Sequence, residues 1–214
     1  MWDERFAAPG YLFGTEPAAA LRSMAGLLPT GSAGAPARVL CIADGDGRNA
    51  VWLAGQGFAV TAFDASKVGV DKARSLAAAR GVAVDHRVAA VEDWDWTPGA
   101  FDAVVAVFIQ FAPPALRSRI HAGIARTLRP GGAVLLHGYA PRQIAYGTGG
   151  PRAVENLYTV PALAADFPGW RVLRSADYDA DLTEGSAHVG RSALVDFVAV
   201  RPGIRAAPAS IGAL

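Results

Sequence analysis

The hydrophobic residues of this chain form short runs that alternate with amphipathic stretches. Seven runs have the length and the apolar content of β-strands, and they span 38–43, 59–63, 84–89, 101–108, 133–139, 170–179 and 191–201. Helical spacing predicts helices over 16–28, 48–56, 66–80, 114–128 and 160–166. Thr15 is expected to cap the first of these helices and Ser66 the third, because both hydroxyls directly precede a helical pattern.

Strands that alternate with helices predict a parallel sheet with right-handed crossovers. The last two runs have no helical stretch between them, so they should pair as an antiparallel hairpin at one sheet edge. We therefore expect a Rossmann-like three-layer α/β sandwich whose seven-stranded sheet is mostly parallel, with an antiparallel last strand. Residues 1–202 are expected to form one domain, and 203–214 a loose tail without a capped or periodic pattern.

The turn after the first strand contains a glycine fingerprint. Gly45-x-Gly47-x-x-Ala50 fits the G-x-G-x-x-A pattern of dinucleotide sites, and Asp64 ends the second strand, where a ribose-binding carboxylate is needed. A tight turn that simply requires glycine, followed by an aspartate at a helix start, is the alternative interpretation. Finding both features at this spacing favours a nucleoside-like ligand.

Two carboxylates in the same turn, Asp44 and Asp46, bear on the choice of that ligand. A pyrophosphate about 4 Å from a like charge would lose roughly 1–4 kcal/mol per unit charge, although Asp46 could instead cap the following helix. For a cationic ligand the same electrostatic interaction would be attractive. S-adenosylmethionine carries a ribose, a sulfonium and an ammonium but no phosphate, and the two aspartates favour it.

The segment VLCIADGDGRNAVWLAGQGFAVTAFDAS resembles the first two motifs of class I S-adenosylmethionine-dependent methyltransferases, and FDAVVAVF and LRPGGAVLL resemble their later strands. The opening WDERFAAPGYLFGTEP, the middle YGTGGP and a histidine before the last strand resemble small bacterial proteins related to tellurite-resistance and thiopurine methyltransferases. The resemblance covers nearly all of residues 1–202. The chain departs from the pattern at Cys41 and Ala90, where many relatives have acidic residues, and at Ala43, where they have glycine.

The resemblance implies S-adenosylmethionine as cofactor and a set of cofactor-binding residues around the predicted cleft. Those residues are Ala43, Asp44, Gly45, Gly47, Asn49, Asp64, Ala65, Ser66, Ala90, Val91, Glu92, Phe108 and Tyr11. Tyr11 and Phe13 could cover the cofactor as a lid, since their π faces suit a sulfonium, or they could pack against the sheet.

Candidate acceptor-site residues lie in three later segments. His188 matches a histidine of the tellurite-resistance relatives and, with Arg191, could neutralise an oxyanion or orient an acidic nucleophile; a surface position in the hairpin is the alternative. Tyr146 and Arg142 belong to a long glycine-rich loop, and loops of this kind often shape binding sites. Phe108, Gln110 and Phe111 follow the fourth strand and could contact substrate or serve only in packing. His121 is expected on a solvated helix face and His137 as a core histidine.

Composition narrows the class of protein. A net charge of +1 argues against a strongly electrostatic nucleic-acid site, and no apolar run approaches the ~20 residues of a membrane span. One cysteine suits the cytoplasm, and the scattered histidines offer no metal-ligand spacing. We expect a cytoplasmic enzyme that binds neither nucleic acid nor membrane and acts on a small molecule. The resemblance favours a thiol, or a metalloid or chalcogen oxyanion, as the methyl acceptor.

Two other classes remain open at this point. An NAD(P)-dependent oxidoreductase is disfavoured by the acidic glycine turn, by the terminal hairpin and by the lack of an evident Tyr-x-x-x-Lys dyad. A non-catalytic module that binds S-adenosylmethionine as a sensor would share the same cleft, and turnover of a thiol would exclude it.

Overall fold

The computed structural model describes residues 2–32 and 34–203, which build around a seven-stranded sheet in the order β3-β2-β1-β4-β5-β7-β6. The strands are β1 Arg38–Ile42, β2 Ala59–Asp64, β3 Asp85–Val88, β4 Phe101–Val107, β5 Leu128–Tyr139, β6 Arg171–Glu184 and β7 His188–Val200. The helices are α1 Trp2–Phe6, α2 Ala19–Met24, α3 Arg48–Gly55, α4 Lys67–Ala79, α5 Pro114–Thr127, α6 Gln143–Tyr146 and α7 Val160–Asp166, with 3₁₀ turns at Ala25–Leu27 and Val154–Asn156.

The first five strands pair in parallel, whereas β7 runs antiparallel to β5 on one side and to β6 on the other. The predicted Rossmann-like sandwich, with its terminal hairpin at a sheet edge, is therefore confirmed. Buried side chains alternate between the two faces of β1, as expected for a strand covered on both sides. Leu40 and Ile42 pack in a cluster with α5 and α7, while Val39 and Cys41 pack with α2 and α3.

The terminal hairpin is longer than its sequence pattern indicates. Tyr139, the last residue of β5, pairs with Leu194, but β6 and β7 continue to pair as far as Glu184 and His188. At about 3.4 Å per residue, this overhang carries the hairpin turn roughly 20 Å beyond the end of β5. The sheet thus gains a wall above its carboxyl edge, where ligands bind in open α/β sheets.

The first predicted helix is wrong at its start, because α2 begins at Ala19 rather than at Glu16. Thr15 does not cap it; the N-cap is Ala18, and no side chain bonds there. Pro17 disfavours helical backbone at the residue before it. The amides of Ala18 and Ala19 donate instead to Asn49 Oδ1 and Glu184 Oε1, side chains from distant parts of the chain.

Most other boundaries agree to within one or two residues, and Ser66 caps α4 by accepting from the Gly69 amide at 3.0 Å. The exceptions are the hairpin strands, where β6 ends five residues later and β7 starts three residues earlier than predicted, and β5, which starts at Leu128 and includes the Arg-Pro-Gly-Gly turn, with Gly131 at φ +80°. Helices α1 and α6 contain too few residues to show a periodicity. Of the predicted tail, residues 204–214 lie outside the described part of the chain, so that prediction stays open.

None of the helices in the described ranges combines the length and the hydropathy that a membrane crossing needs.

Gly47 should be far less replaceable than Gly57, although both have positive φ, +93° and +89°. A Cβ on Gly47 would lie 2.5 Å from the Ala73 Cβ, whereas nothing lies within 4 Å of one on Gly57. We expect Gly57→Ala to cost about 1–2 kcal/mol for its left-handed backbone, and Gly47→Ala about 1–3 kcal/mol more for the overlap between α3 and α4. Urea denaturation of the two variants measures the difference, and equal losses would contradict this packing.

Candidate functional site

The glycine turn and the end of β2 form one connected unit. Asp64 is 9% exposed, and its carboxylate accepts the Gly45 amide at 2.9 Å and the Ser66 amide at 2.8 Å, one on each oxygen. Each oxygen can still accept from a further donor such as a ribose hydroxyl. Ala43 has φ +47°, which explains why a glycine is usual at its position. Gly45, Gly47, Ala65 and Ser66 all belong to this unit.

Asp44 and Asp46 divide their roles differently from the sequence expectation. Asp46 does not cap α3; its Oδ2 accepts the Leu12 amide at 2.9 Å and so holds the N-terminal segment against the turn. Asp44 Oδ2 instead accepts the Ala50 amide, in the first turn of α3, at 3.3 Å. With Asp64, three carboxylates converge on this turn and favour a cationic ligand.

The pKa of Asp44 is raised more than that of the other carboxyl groups in this turn. Burial, reinforced by the charges of Asp64 and Asp46, raises the pKa of Asp44 to about 8, against the opposing hydrogen bond from Ala50. Asp44 keeps some surface exposure, and its two neighbouring carboxylates act in the same direction as burial. Burial also raises the pKa values of Asp46 and Asp64.

The predicted cofactor-binding residues Ala90, Val91 and Glu92 follow shortly after β3. Val91 is buried, Ala90 is half-buried and Glu92 is exposed. The Ala89 amide donates to the Asp64 carbonyl at 3.0 Å, which places this segment beside the acidic end of β2. The segment thus offers an apolar surface at Ala90 and Val91, while Glu92 faces solvent.

A cage of aromatic rings and one histidine lies at the ends of β4 and β5. Between ring centroids, His188 lies 4.2 Å from Phe108 and 4.5 Å from Phe13, and Tyr139 lies 4.7 Å from Phe108 and 5.9 Å from His188. His188 is only 8% exposed, so the alternative of a surface hairpin residue is wrong. Phe108 holds φ +57°, a costly conformation for a non-glycine residue that is often found at functional sites.

The cage rests on a buried ion pair that the sequence analysis missed. Arg48 Nη1 lies 2.8 Å from Glu184 Oε2, and the same oxygen lies 3.8 Å from His188 Nδ1. Burial opposes the ionisation of Glu184, but His188 and Arg48 outweigh it and lower its pKa to about 2. Burial lowers the pKa of His188, so the imidazole is neutral at neutral pH beside an ionised carboxylate. Only the Gly-Arg-Asn sequence after the turn hinted at Arg48, and nothing local hinted at Glu184.

Arg191 does not join His188, contrary to the sequence expectation. The two residues are three apart in one strand, and an odd separation places side chains on opposite faces. Arg191 is exposed and lies 3.7 Å from Asp179, which also accepts from Tyr146 Oη at 2.8 Å and from Arg142 Nε at 2.8 Å. The three predicted substrate contacts therefore form an ionic cluster on the outside of the hairpin.

Three further candidates make hydrogen bonds within the protein, and their predicted ligand contacts stay predictions. Gln110 is buried, and its amide both donates to the Tyr139 carbonyl at 2.8 Å and accepts the Tyr139 amide at 2.6 Å. Asn49 accepts the Ala18 amide at 3.0 Å, and Tyr11 packs against α3 and α4 while donating to the Lys72 carbonyl at 3.2 Å. Phe111 is 40% exposed beside the cage. Of the proposed lid residues, Phe13 alone reaches His188.

Two other histidines pair with carboxylates. His121 is 1% exposed, and its Nδ1 lies 2.7 Å from Asp166 Oδ2 on α7, so the predicted solvated position is wrong. His137 lies 2.8 Å from the buried Asp196, as expected of a core histidine.

Several buried polar atoms around the cleft have no hydrogen-bond partner among the described residues. They are Asp46 Oδ1, Tyr139 Oη and His188 Nδ1. Buried polar atoms are nearly always paired in folded proteins, so unpaired ones that cluster beside a cleft indicate a place for a polar ligand. The carboxylates, the aromatic rings and these unpaired atoms together suit a cationic nucleoside.

The sheet order, the glycine turn and the acidic end of β2 are those of the Rossmann-like class of folds, in which nucleotides bind at the carboxyl edge of the sheet. Within this class, residues 39–132 match the family described as methyltransferase domain. No curated protein sequence matches the chain.

Solved structures share the fold at low sequence identity. A protein that converts a disulfide bond into a thioacetal group in echinomycin biosynthesis is 20% identical, with a TM-score of 0.74 over 94% of this chain and 88% of that one. TehB from Haemophilus influenzae is 13% identical, with a TM-score of 0.64 over 85% of this chain and 61% of its own. Magnesium protoporphyrin IX methyltransferase from Synechocystis, solved with bound S-adenosylhomocysteine, is 17% identical, with a TM-score of 0.62 over 85% and 78%.

Asp44→Asn should change the pH dependence of stability. The pKa of Asp44 is about 8 in the folded protein and about 3.9 in an unfolded chain. Between these values the unfolded chain has lost the proton and the folded protein keeps it, so wild-type stability falls relative to the variant and then becomes constant above pH 8. Urea unfolding of both proteins from pH 4 to 9 measures this difference. Parallel pH profiles would contradict the assignment.

Proposed function

We propose that this protein is an S-adenosylmethionine-dependent methyltransferase whose acceptor is a small thiol. The methyltransferase-domain match and the class I fold support the enzyme class, and S-adenosylmethionine is the cofactor of such domains. The observation that carries the proposal is the cage of Phe13, Phe108, Tyr139 and neutral His188 beside three carboxylates. The cage offers rings to a sulfonium, and the carboxylates offer charge to an ammonium.

Each part of the cofactor has residues that fit it. Asp64 has free acceptor capacity for ribose hydroxyls, and Ala90 with Val91 offers an apolar surface for adenine. Asp46 supplies negative charge for the ammonium group, and the Asp44 carboxyl, protonated at neutral pH, supplies a carbonyl oxygen as hydrogen-bond acceptor. When bound, the cofactor supplies a methyl group on a positively charged sulfur, and the residues of the chain align an acceptor with it.

A thiol fits the surroundings of His188 better than an oxyanion does. The nearest cation, Arg48, is already paired with Glu184, and Arg191 is paired on the outer face of the hairpin. An anion would therefore meet no free positive charge in the cage. The resemblance to tellurite-resistance methyltransferases is the argument for an oxyanion, whereas the likeness to a protein that acts on a disulfide bond supports a sulfur acceptor.

Neutral His188 can accept the proton of the thiol. The S–H bond breaks as its proton moves to the imidazole, and the sulfur electron pair forms the new S–C bond. Bound S-adenosylmethionine would supply the methyl group, and its sulfonium sulfur would keep the electron pair of the broken bond and become neutral. Glu184 stabilises the imidazolium that results, because its carboxylate remains ionised 3.8 Å away.

The acceptor is a small molecule in this proposal, since the N-terminal segment covers the cage. Asp46 holds Leu12 to the glycine turn, and the Ser186 amide donates to the Leu12 carbonyl at 3.0 Å from the hairpin side. This arrangement leaves little width for a polymer. We further infer a cytoplasmic enzyme without a nucleic-acid or membrane partner, in keeping with the net charge of +1.

Calorimetric titration tests the cofactor. Wild-type protein should bind S-adenosylmethionine and S-adenosylhomocysteine but neither NADH nor NADPH. Asp64→Ala should weaken binding at least about tenfold through the lost hydroxyl contacts, while Asp71→Ala, an exposed carboxylate on α4, should not. Thermal unfolding checks that the Asp64 variant is folded. Binding of a nicotinamide nucleotide alone would refute the methyltransferase proposal.

His188→Asn tests the proton transfer. With a simple alkyl thiol at pH 7, we expect kcat to fall about 10²–10⁴-fold, the usual contribution of a general base. The deficit should shrink as the pH rises toward the pKa of the thiol, where the thiolate forms without help. His86→Asn, at a buried histidine on β3, is the matched control. A deficit that is constant with pH would rule out the base role, and wild-type turnover would exclude a non-catalytic binding module.

A further inference from the structure

A pocket of about 530 Å³ lies between the N-terminal segment and the hairpin turn, on the other side of Phe13 from His188. Its walls come from residues 13–23, from Arg48 at the start of α3 and from residues 183–185 at the end of β6. Its volume lies within the range of small-molecule sites. Neither the methyltransferase-domain match nor the cofactor-binding residues account for it.

The pocket and the cage share walls. Phe13, Arg48 and Glu184 line the pocket, and the Phe13 ring and the Glu184 carboxylate also flank His188. The Phe13 ring therefore contacts both the pocket and His188. Rotation of this half-buried side chain would open a passage between the two without moving the backbone.

The charges of the pocket are already paired, which restricts the ligand. Arg22 lies 3.0 Å from Glu16, and Arg48 lies 2.8 Å from Glu184. A charged ligand would find no free counter-ion and would have to break one of these pairs. The rest of the surface includes the apolar faces of Phe13, Pro17 and Ala19.

We propose that this pocket holds the body of the methyl acceptor and selects an uncharged thiol with an apolar or aromatic body. The inference rests on the proposed function, because it takes His188 as the place where the sulfur arrives. Ala19, Pro17 and Thr183 then determine specificity by their size, whereas the cofactor-binding residues contribute nothing to the choice between thiols.

Ala19→Trp tests the pocket by filling it. Ala19 is exposed at the first position of α2, and its backbone amide can still donate to Glu184 after the substitution. Phenylmethanethiol is the probe with an apolar aromatic group, and methanethiol is the probe with only a methyl group on its sulfur. The third probe, 3-sulfanylpropanoate, carries a negatively charged carboxylate. Ala78→Trp, an exposed alanine on α4 that lines a different groove, is the matched control.

We expect Ala19→Trp to raise the KM for phenylmethanethiol at least tenfold and to change that for methanethiol by less than about twofold. Calorimetry on protein loaded with S-adenosylhomocysteine should show that phenylmethanethiol binds to the wild type and to the Ala78 variant. Its affinity for the Ala19 variant should be at least tenfold lower. The charged thiol should bind poorly to all three. Equal effects on both uncharged thiols, or none, would overturn the pocket assignment and leave the methyltransferase intact. Binding of phenylmethanethiol without turnover would support the pocket and refute the thiol acceptor.

Discussion

The buried pair of Arg48 and Glu184 is the interaction on which the site depends. Arg48 begins α3, directly after the glycine turn, and Glu184 ends β6, the outermost strand of the sheet. Arg48 also donates to the Phe13 carbonyl at 3.1 Å, and Glu184 accepts the Ala19 amide at 2.9 Å. Three distant segments therefore meet at two side chains. Because removing one partner of a buried pair leaves an uncompensated charge, the chain is strongly constrained to keep both.

This arrangement explains why the N-terminal segment is part of the site and not an appendage. Its helix α1 packs on the glycine turn, where the ring of Phe6 lies 2.9 Å from the position of a Cβ on Gly45. Asp3 accepts from the Val68 amide at 3.2 Å, and Lys72 donates to the Ala8 carbonyl at 2.6 Å. The segment is thus fixed at α4, at the turn and at the hairpin. Phe13 is held over the cage as a result.

Features set by residues close together in the sequence were predicted correctly. Contacts that depend on which face of a strand or helix a side chain occupies, or on how far the hairpin extends, were missed. The Rossmann-like sheet, the glycine turn and Asp64 follow from periodicity and from spacing within 20 residues. His188 was found only through resemblance, and Arg191 was paired with it because the two are close in sequence, although they lie on opposite faces. His121 looked solvated because its partner, Asp166, is supplied by α7. Arg48 and Glu184 meet across 136 residues of sequence, and no local pattern reports such a contact.

The overhang of β6 and β7 has a consequence for how such a protein can change. Beyond Tyr139 the hairpin has no neighbouring strand of the sheet to keep it in register, so a change in its length leaves the pairing of β5 with β7 intact, provided that Glu184 still reaches Arg48. Side chains alternate between faces along a strand. An insertion of one residue in each arm would present the opposite set of side chains to the cage, whereas two in each arm would restore the original set one step further out. The side chains that the hairpin presents to the cage can therefore be kept only when its arms change length in steps of two residues. Strands β1 to β5 are not affected by such a change.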